Sequence, residues 1–308
     1  MKKLFAFTLM IGLIFMVCGT AVSADKGKPP DVKIKAIPVV ENIYMLTSGS
    51  GFPEYKGGNI GAFIGKDGTL VVDASFPFVT NNILSSIKSL GGDTPKFLIN
   101  THFHGDHTTG NGNLGNKGTL IVSHDNVRER LANGSFLPPF RIKLPPSNKA
   151  ALPVITYSDD MYLSINNESV HAIHVPSAHT DGDSIIHFKK ANVVHTGDIF
   201  FNGYFPFIDV DNGGSVKGVI LAVDTILSIT DDNSKIIPGH GPLADKAQLV
   251  AYRNMLSTAY QRLLKLKNEG VTVEDAVIRK PLADLEAQWG GVTFSAERWI
   301  GIIYPGVN

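Results

Sequence analysis

The chain has 308 residues, 43% apolar and 18% charged, a composition that supports a large buried core and excludes global disorder. Its 28 basic and 28 acidic residues balance, so net charge gives no case for nucleic acid or an anionic membrane as partner. The single cysteine excludes an intrachain disulfide and a cysteine-rich metal knuckle, while 31 glycines and 17 prolines point to more turns than a helical bundle needs.

Residues 1–24 read as a secretory signal. Lys2 and Lys3 precede an apolar stretch, Leu4–Val17, too short to span a bilayer comfortably. Val22-Ser23-Ala24 places small residues where a signal peptidase reads them. This predicts cleavage after Ala24 and a periplasmic or secreted mature protein with no membrane attachment. The alternatives are an uncleaved anchor helix and a lipoprotein at Cys18, where Val17 is bulky for a lipobox. Cleavage removes Cys18, and with it every mechanism that needs a thiol.

Residues 25–36 read as a loose leader. Strands are predicted at Ile43–Thr47, Asn59–Ile64 and Thr69–Asp73, then a helix over Val79–Leu90 with Ile83, Leu84, Ile87 and Leu90 on one face. Lys96–Thr101 is an apolar strand running into the polar cluster THFHGDH. Leu120–Ser123 predicts a strand, and His124–Ala132 a helix ending at Asn133-Gly134. Five prolines in 133–153 predict an irregular loop.

The pattern then restarts, with strands at Met161–Ile165, Ser169–Val175, Ser184–Phe188 and Asn192–Thr196. A helix follows over Ser215–Ile229, with Ser215 as N-cap. Lys235–Pro238 is a strand ending in Gly239-His240-Gly241. A long amphipathic helix over 245–268 stops at Gly270, and the tail reads as helical with Trp289 and Trp299 as core anchors. The expected organisation is a catalytic domain over 25–245 with a helical C-terminal extension, 246–308, packed on it.

His102, His104, Asp106 and His107 fall in one short window. In an extended segment His102 and His104 point to one side and can reach one ion, whereas Asp106 and His107 turn away past Gly105 and can serve another. These residue types suit a borderline cation such as zinc. Further ligands must come from elsewhere, and His179, Asp198 and His240 each stand at a strand end beside glycine, proline or another small residue. His171, His174 and His187 read as ordinary strand residues.

THFHGDH at 101–107, His179, HTGD at 195–198 and PGHGP at 238–242 together resemble the metallo-β-lactamase superfamily, over roughly residues 40–245. The resemblance implies an α/β fold, the αββα sandwich, with the site at one edge between two sheets. It implies two zinc ions per chain. His102, His104 and His179 would hold the first, Asp106, His107 and His240 the second, and Asp198 would bridge them. Asp73 matches the family's aspartate that orients a ligand histidine through its other ring nitrogen. His195 is expected to pack behind the ligands.

The implied activity is hydrolysis of an acyl bond in a small molecule by a metal-bound hydroxide, with Asp106 or Asp198 orienting its proton. β-Lactam breakdown, and so antibiotic resistance, is one reading. The other is a lactonase or a thioesterase of glyoxalase II type. One lactamase class resembling this fold has cysteine at the position of Asp198, and many members carry lysine three residues later, where this chain has Phe201. A non-catalytic metal-binding module is the rival from outside enzymology, disfavoured because structural zinc sites are closed and cysteine-rich. A nuclease would need a basic groove.

The expected pocket walls are two loops. Residues 48–58 could present Phe52 and Tyr55, and residues 200–214 offer Phe200, Phe201, Tyr204, Phe205 and Phe207, then Asp209 and Asp211. Each aromatic is equally consistent with the core. Lys56, Arg141 and Lys143 are the cations that could replace the missing lysine.

Overall fold

The computed structural model describes residues 32–48 and 57–308. The expected signal peptide and the residues Phe52, Tyr55 and Lys56 lie outside these. Strands β1 (Lys35–Val40), β2 (Ile43–Thr47), β3 (Ile60–Gly65), β4 (Gly68–Val72), β5 (Phe97–Ile99) and β6 (Leu120–His124) pair in sequential order. A separate hairpin, β7 (Ser135–Leu137) and β8 (Ile142–Leu144), follows, and β9 (Ile155–Tyr157) rejoins the first sheet beside β6. The second sheet runs β10 (Asp160–Ile165), β11 (Glu168–His174), β12 (Ser184–Phe188), β13 (Val193–His195), β14 (Lys235–Ile237).

Antiparallel pairing links β1 to β4 and β10 to β13, whereas β4-β5-β6-β9 and β13-β14 are parallel. Parallel neighbours need crossovers. These are supplied by α1 (Thr80–Ser89), by α2 (Gly105–Thr108) and α3 (Asn111–Gly115), by α4 (Asp125–Asn133), and by α5 (Val216–Ser228). The chain then closes with α6 (Lys246–Asn268), α7 (Val273–Arg279), α8 (Glu286–Trp289) and α9 (Ala296–Ile303). No helix of the described residues is long and apolar enough to cross a membrane.

Alternation along the strands builds the layers. Leu70 and Val72 of β4, Ile99 of β5 and Val122 of β6 meet Val170, Ala172, Ile186 and Phe188 of the second sheet. Their neighbours Val71, Leu98 and Ile121 face outward onto Ile83 and Ile87 of α1. On the far side, Ile185, Val194 and Ile236 are covered by Val219 and Val223 of α5 and by Tyr252 and Leu256 of α6. Helix, sheet, sheet, helix is the expected αββα sandwich. Trp289, Trp299, Ile300 and Ile303 join that last core, so residues 246–308 share an apolar layer with the second sheet.

The helix caps behave as residue chemistry dictates. Ser215 Oγ accepts from Gly218 N at 2.9 Å, and Asp245 forms a capping box with Gln248 that opens α6.

Three segments differ from expectation. Lys35 and Ala36 open β1 instead of ending a leader; Pro38 argues against a strand, but β1 is an edge strand, where a missing N–H is tolerated. The 133–153 segment is not wholly irregular. Pro138 and Pro139 occupy the turn of the β7–β8 hairpin, and Pro145 and Pro146 follow it, so no proline interrupts its ladder. The short strand β9 beyond Pro153 was not expected at all.

Candidate metal centre

Every candidate ligand follows the C-terminal end of a strand: His102 to His107 after β5, His179 after β11, Asp198 after β13 and His240 after β14. The two sheets bring these ends to one edge of the sandwich. Ligand atoms of His102, His104, His179 and Asp198 lie within 4.8 Å of one another, and those of Asp106, His107 and His240 form a second such group.

In the first group, His179 Nε2 is 2.8 Å from His104 Nδ1 and 3.5 Å from Asp198 Oδ2, which is 3.7 Å from His102 Nε2. In the second, His107 Nε2 is 3.3 Å from His240 Nε2 and 3.5 Å from Asp106 Oδ2. Asp198 Oδ1 completes that group at 3.0 Å from His107 Nε2 and 3.2 Å from His240 Nε2. Asp198 therefore turns one oxygen to each group.

Ligand atoms at about 2.0–2.1 Å from one zinc stand roughly 3.3 Å apart at tetrahedral angles, and the observed separations bracket that value. His102 Nε2 is fully buried without a hydrogen-bond partner, the state of a ring nitrogen aimed at a cation. The residues fit a metal.

Outer partners fix how each ring points. Asp73 Oδ2 accepts from His107 Nδ1 at 2.8 Å, and the same carboxylate accepts from Thr101 N and Oγ1, both at 2.8 Å. Thr101 Oγ1 in turn lies 3.0 Å from His102 Nδ1. His179 Nδ1 donates to Phe207 O at 2.8 Å, and His104 Nε2 meets Asp209 Oδ2 at 2.9 Å. Each contact leaves the other ring nitrogen free to face the site.

Glycines let backbone press in from two sides. A Cβ at Gly58 would fall 2.1 Å from the His107 ring, and one at Gly239 would fall 2.1 Å from Asp198 Oδ1. Asn59 ties these walls together: its N donates to Gly239 O at 2.8 Å, and its Nδ2 donates to Pro238 O and Gly241 O.

Charge divides the two groups. Burial holds His102 well below the usual imidazole range and brings His179 down to about 4, so both stay neutral. Burial also opposes charge on His107 and His240, but the carboxylates prevail. Asp198, Asp106 and Asp73 raise His107 well above its ordinary value, and Asp198 with Asp106 raises His240 to about 9. Asp106 and Asp198 resist burial in the same way, held below the usual carboxylate range by the histidines around them.

The loop after Asp198 sorts its aromatics. Phe200 packs on Tyr252, and Phe205 stacks on Trp299 at 4.4 Å, so both belong to the core. Phe201 lies 4.8 Å from the His240 ring at 4% exposure, and Tyr204 packs on Phe201. Phe207 lies 5.6 Å from the His104 ring. The C-terminal extension holds this loop in place: Trp299 Nε1 donates to Pro206 O at 2.7 Å, and Phe205 N donates to Trp289 O.

His195 joins neither ligand group. Its Nδ1 accepts from Gly197 N at 3.2 Å and its Nε2 faces Asn59 O at 3.3 Å, so it shapes the turn that presents Asp198. Sequence reasoning put Asp209 only in a pocket-lining loop and missed its contact with His104. The available signal was an acid in the apolar run Phe205-Pro206-Phe207-Ile208-Asp209-Val210, where a charge needs a buried partner. Thr101 and Asn59 carried no such signal.

A family model described as the metallo-beta-lactamase superfamily matches residues 55–240. The chain belongs to that superfamily. Its members are mostly metal-dependent hydrolases. Among solved structures, a metallo-beta-lactamase from Pontibacter korlensis is 16% identical with a TM-score of 0.60, over 73% of this chain and 99% of its own. The DIM-1 metallo-beta-lactamase is 17% identical at TM-score 0.58, over 74% and 98%. The stereoselective inverting sec-alkylsulfatase Pisa1 from Pseudomonas sp. is 14% identical at TM-score 0.65, over 88% of this chain but 50% of its own. That 88% exceeds what residues 1–245 alone could supply, so the likeness reaches into the C-terminal helices. These identities speak for the fold alone. No curated protein matches the sequence.

Proposed function

We propose that the protein is a dinuclear zinc-dependent hydrolase of small-molecule acyl bonds, working outside the cytoplasm as the leader Met1–Ala24 suggests. The supporting observation is the split carboxylate of Asp198, with Oδ2 3.5 Å from His179 Nε2 and Oδ1 3.0 Å from His107 Nε2. Structural zinc sites are closed and complete around a single ion, whereas a carboxylate facing two ligand groups suits two ions side by side.

Bound zinc supplies Lewis acidity and lowers the pKa of water to about 7. The chain's residues supply the rest. Asp198 holds the two groups at a fixed separation. Asp106 has the most exposed ligand side chain, at 18%, so it is the ionised carboxylate placed to accept a hydrogen bond from the attacking water at the mouth of the site and orient it. Asp73, Asp209 and the Phe207 carbonyl keep His107, His104 and His179 in the tautomers that face inward. Phe201 shields the His240 side from water.

The wall at Phe201 favours lactones or thioesters over β-lactams, because a lactam carboxylate would meet an aromatic ring there and not a cation. Hydrolysis by the zinc-loaded protein should be screened on lactones, thioesters, penicillins, cephalosporins, carbapenems and alkyl sulfates. Turnover of an acyl substrate, abolished by chelation and restored by zinc, is expected. Activity that survives exhaustive chelation, or metal content that never exceeds one equivalent, would overturn the reading.

A further inference from the structure

Resting on the acyl-hydrolase reading above, we propose that the β7–β8 hairpin is the substrate wall and that the site takes an ester or lactone with an apolar acyl chain. The hairpin reaches the mouth of the site directly. Leu144 Cδ2 lies 3.4 Å from where a Cβ on Gly105 would stand, and Gly105 sits between His104 and Asp106. Phe140 packs on Phe207 at 4.8 Å, and Phe207 packs on the His104 ring. Asn212 Nδ2 donates both to Phe136 O at 3.0 Å and to Asp209 Oδ2 at 2.8 Å, so one side chain ties the hairpin to the carboxylate that orients His104.

The wall is apolar because of strand alternation. Ile142 and Leu144 are half-buried on one side of β8, and Lys143 between them is exposed on the other. Arg141 occupies the turn at φ 56°, also exposed. Arg130 lies over Phe103, beside the ligand histidines, but it is engaged by Asp181 at 2.7 and 2.6 Å and by Asn212. The inward side of β8 therefore offers the substrate a half-covered apolar strip, with Lys143 turned to the other face and Arg130 engaged by Asp181 and Asn212. An apolar chain laid on Ile142 and Leu144 would cover that strip.

The test is a series of phenyl esters from acetate to octanoate with the zinc-loaded full chain, together with binding of 2-alkanones of matching length by calorimetry. KM should fall up to about fourfold per added methylene until the strip is covered, with kcat changing little. Ketone affinity should rise in step. Leu144→Ser should flatten both trends, whereas Lys143→Ser, on the opposite face, should keep them. A flat wild-type series with esters still hydrolysed, or equal effects of the two variants, overturns the wall and leaves the hydrolase reading standing. No ester turnover with ketone affinity still rising along the series overturns the hydrolase reading and keeps the wall.

Discussion

The two ligand groups differ in a way that their shared metal chemistry conceals. The group of His102, His104 and His179 is closed and made of rings, and burial keeps His102 and His179 neutral. The group of Asp106, His107 and His240 has its own carboxylate, opens to solvent at Asp106, and holds two histidines whose affinity for protons is raised. A cation entering the first finds lone pairs waiting. One entering the second must displace protons. The expected consequence is that the first group holds an ion more firmly and the second trades protons with solvent as it binds one.

The largest expected effect comes from removing what the groups share. Asp198→Ala should lower kcat/KM by well over ~100-fold, since even outer partners of metal ligands are worth 10–100-fold. It should also weaken both metal equivalents by elemental analysis. Phe201→Ala should cost much less for the same substrates. Comparable losses in folded variants would deny Asp198 its bridging place.

The orienting carboxylates should then rank the groups. Asp209→Ala should weaken the first metal equivalent through His104 by about 10–100-fold, and Asp73→Ala should weaken the second as much through His107, with a smaller loss at the first through Thr101 and His102. Metal titration of both variants followed by competition with a chelator reads this. If either variant loses both equivalents equally, the groups are not independent.

Protons give the third contrast. In the metal-free protein His240 binds its proton more tightly than in the unfolded chain. That contribution to stability is complete below about pH 6.5 and fades as pH rises through about 9. His179 runs the other way: its value of about 4 means that protonation of the unfolded chain costs stability as pH falls below about 6.5. Affinity for the second zinc should therefore fall as pH drops below about 9, roughly tenfold per unit for each proton displaced. The first equivalent should depend on pH far less between 7 and 9. Calorimetry in buffers of different ionisation enthalpy counts the protons, and equal counts for both equivalents would erase the distinction.

Much of this was legible because it is written in period and spacing. β2, β4, β6 and β10–β13 announce themselves as apolar runs between turn residues, α5 by its cap at Ser215, and α6 by its amphipathic pattern stopped at Gly270. The seven residues of the two groups were readable because metal ligands must be particular residue types at strand ends. What was hidden depends on tertiary position. Pro38 is tolerated only because β1 lies at an edge, and the β7–β8 hairpin only because its prolines fall in the turn and beyond it. Asp209 is separated from His104 by over a hundred residues, so no local pattern links them. Phe200 and Phe205 looked like Phe201 and Phe207 in sequence; packing on Tyr252 and Trp299 decides which two face away.

The smallest expected effect sharpens the contrast at its open side. A lysine at 201 would offer a lactam carboxylate a charge-assisted hydrogen bond, worth about 1.5–3 kcal/mol where it forms freely. Position 201 is not free: the ring there is 4% exposed and packs on His240 at 4.8 Å. An ammonium in that place loses the packing, is partly desolvated, and sits beside an imidazole that Asp198 and Asp106 already favour in its charged form. These costs consume most of the gain. Phe201→Lys should therefore lower KM for penicillins by less than about tenfold, leave uncharged lactones little changed, and weaken the second zinc more than the first. Steady-state kinetics on both substrate types, with metal content measured alongside, decides it. A drop in KM beyond that limit would show that the ring at 201 is free to leave and that the open group already has room for an anion.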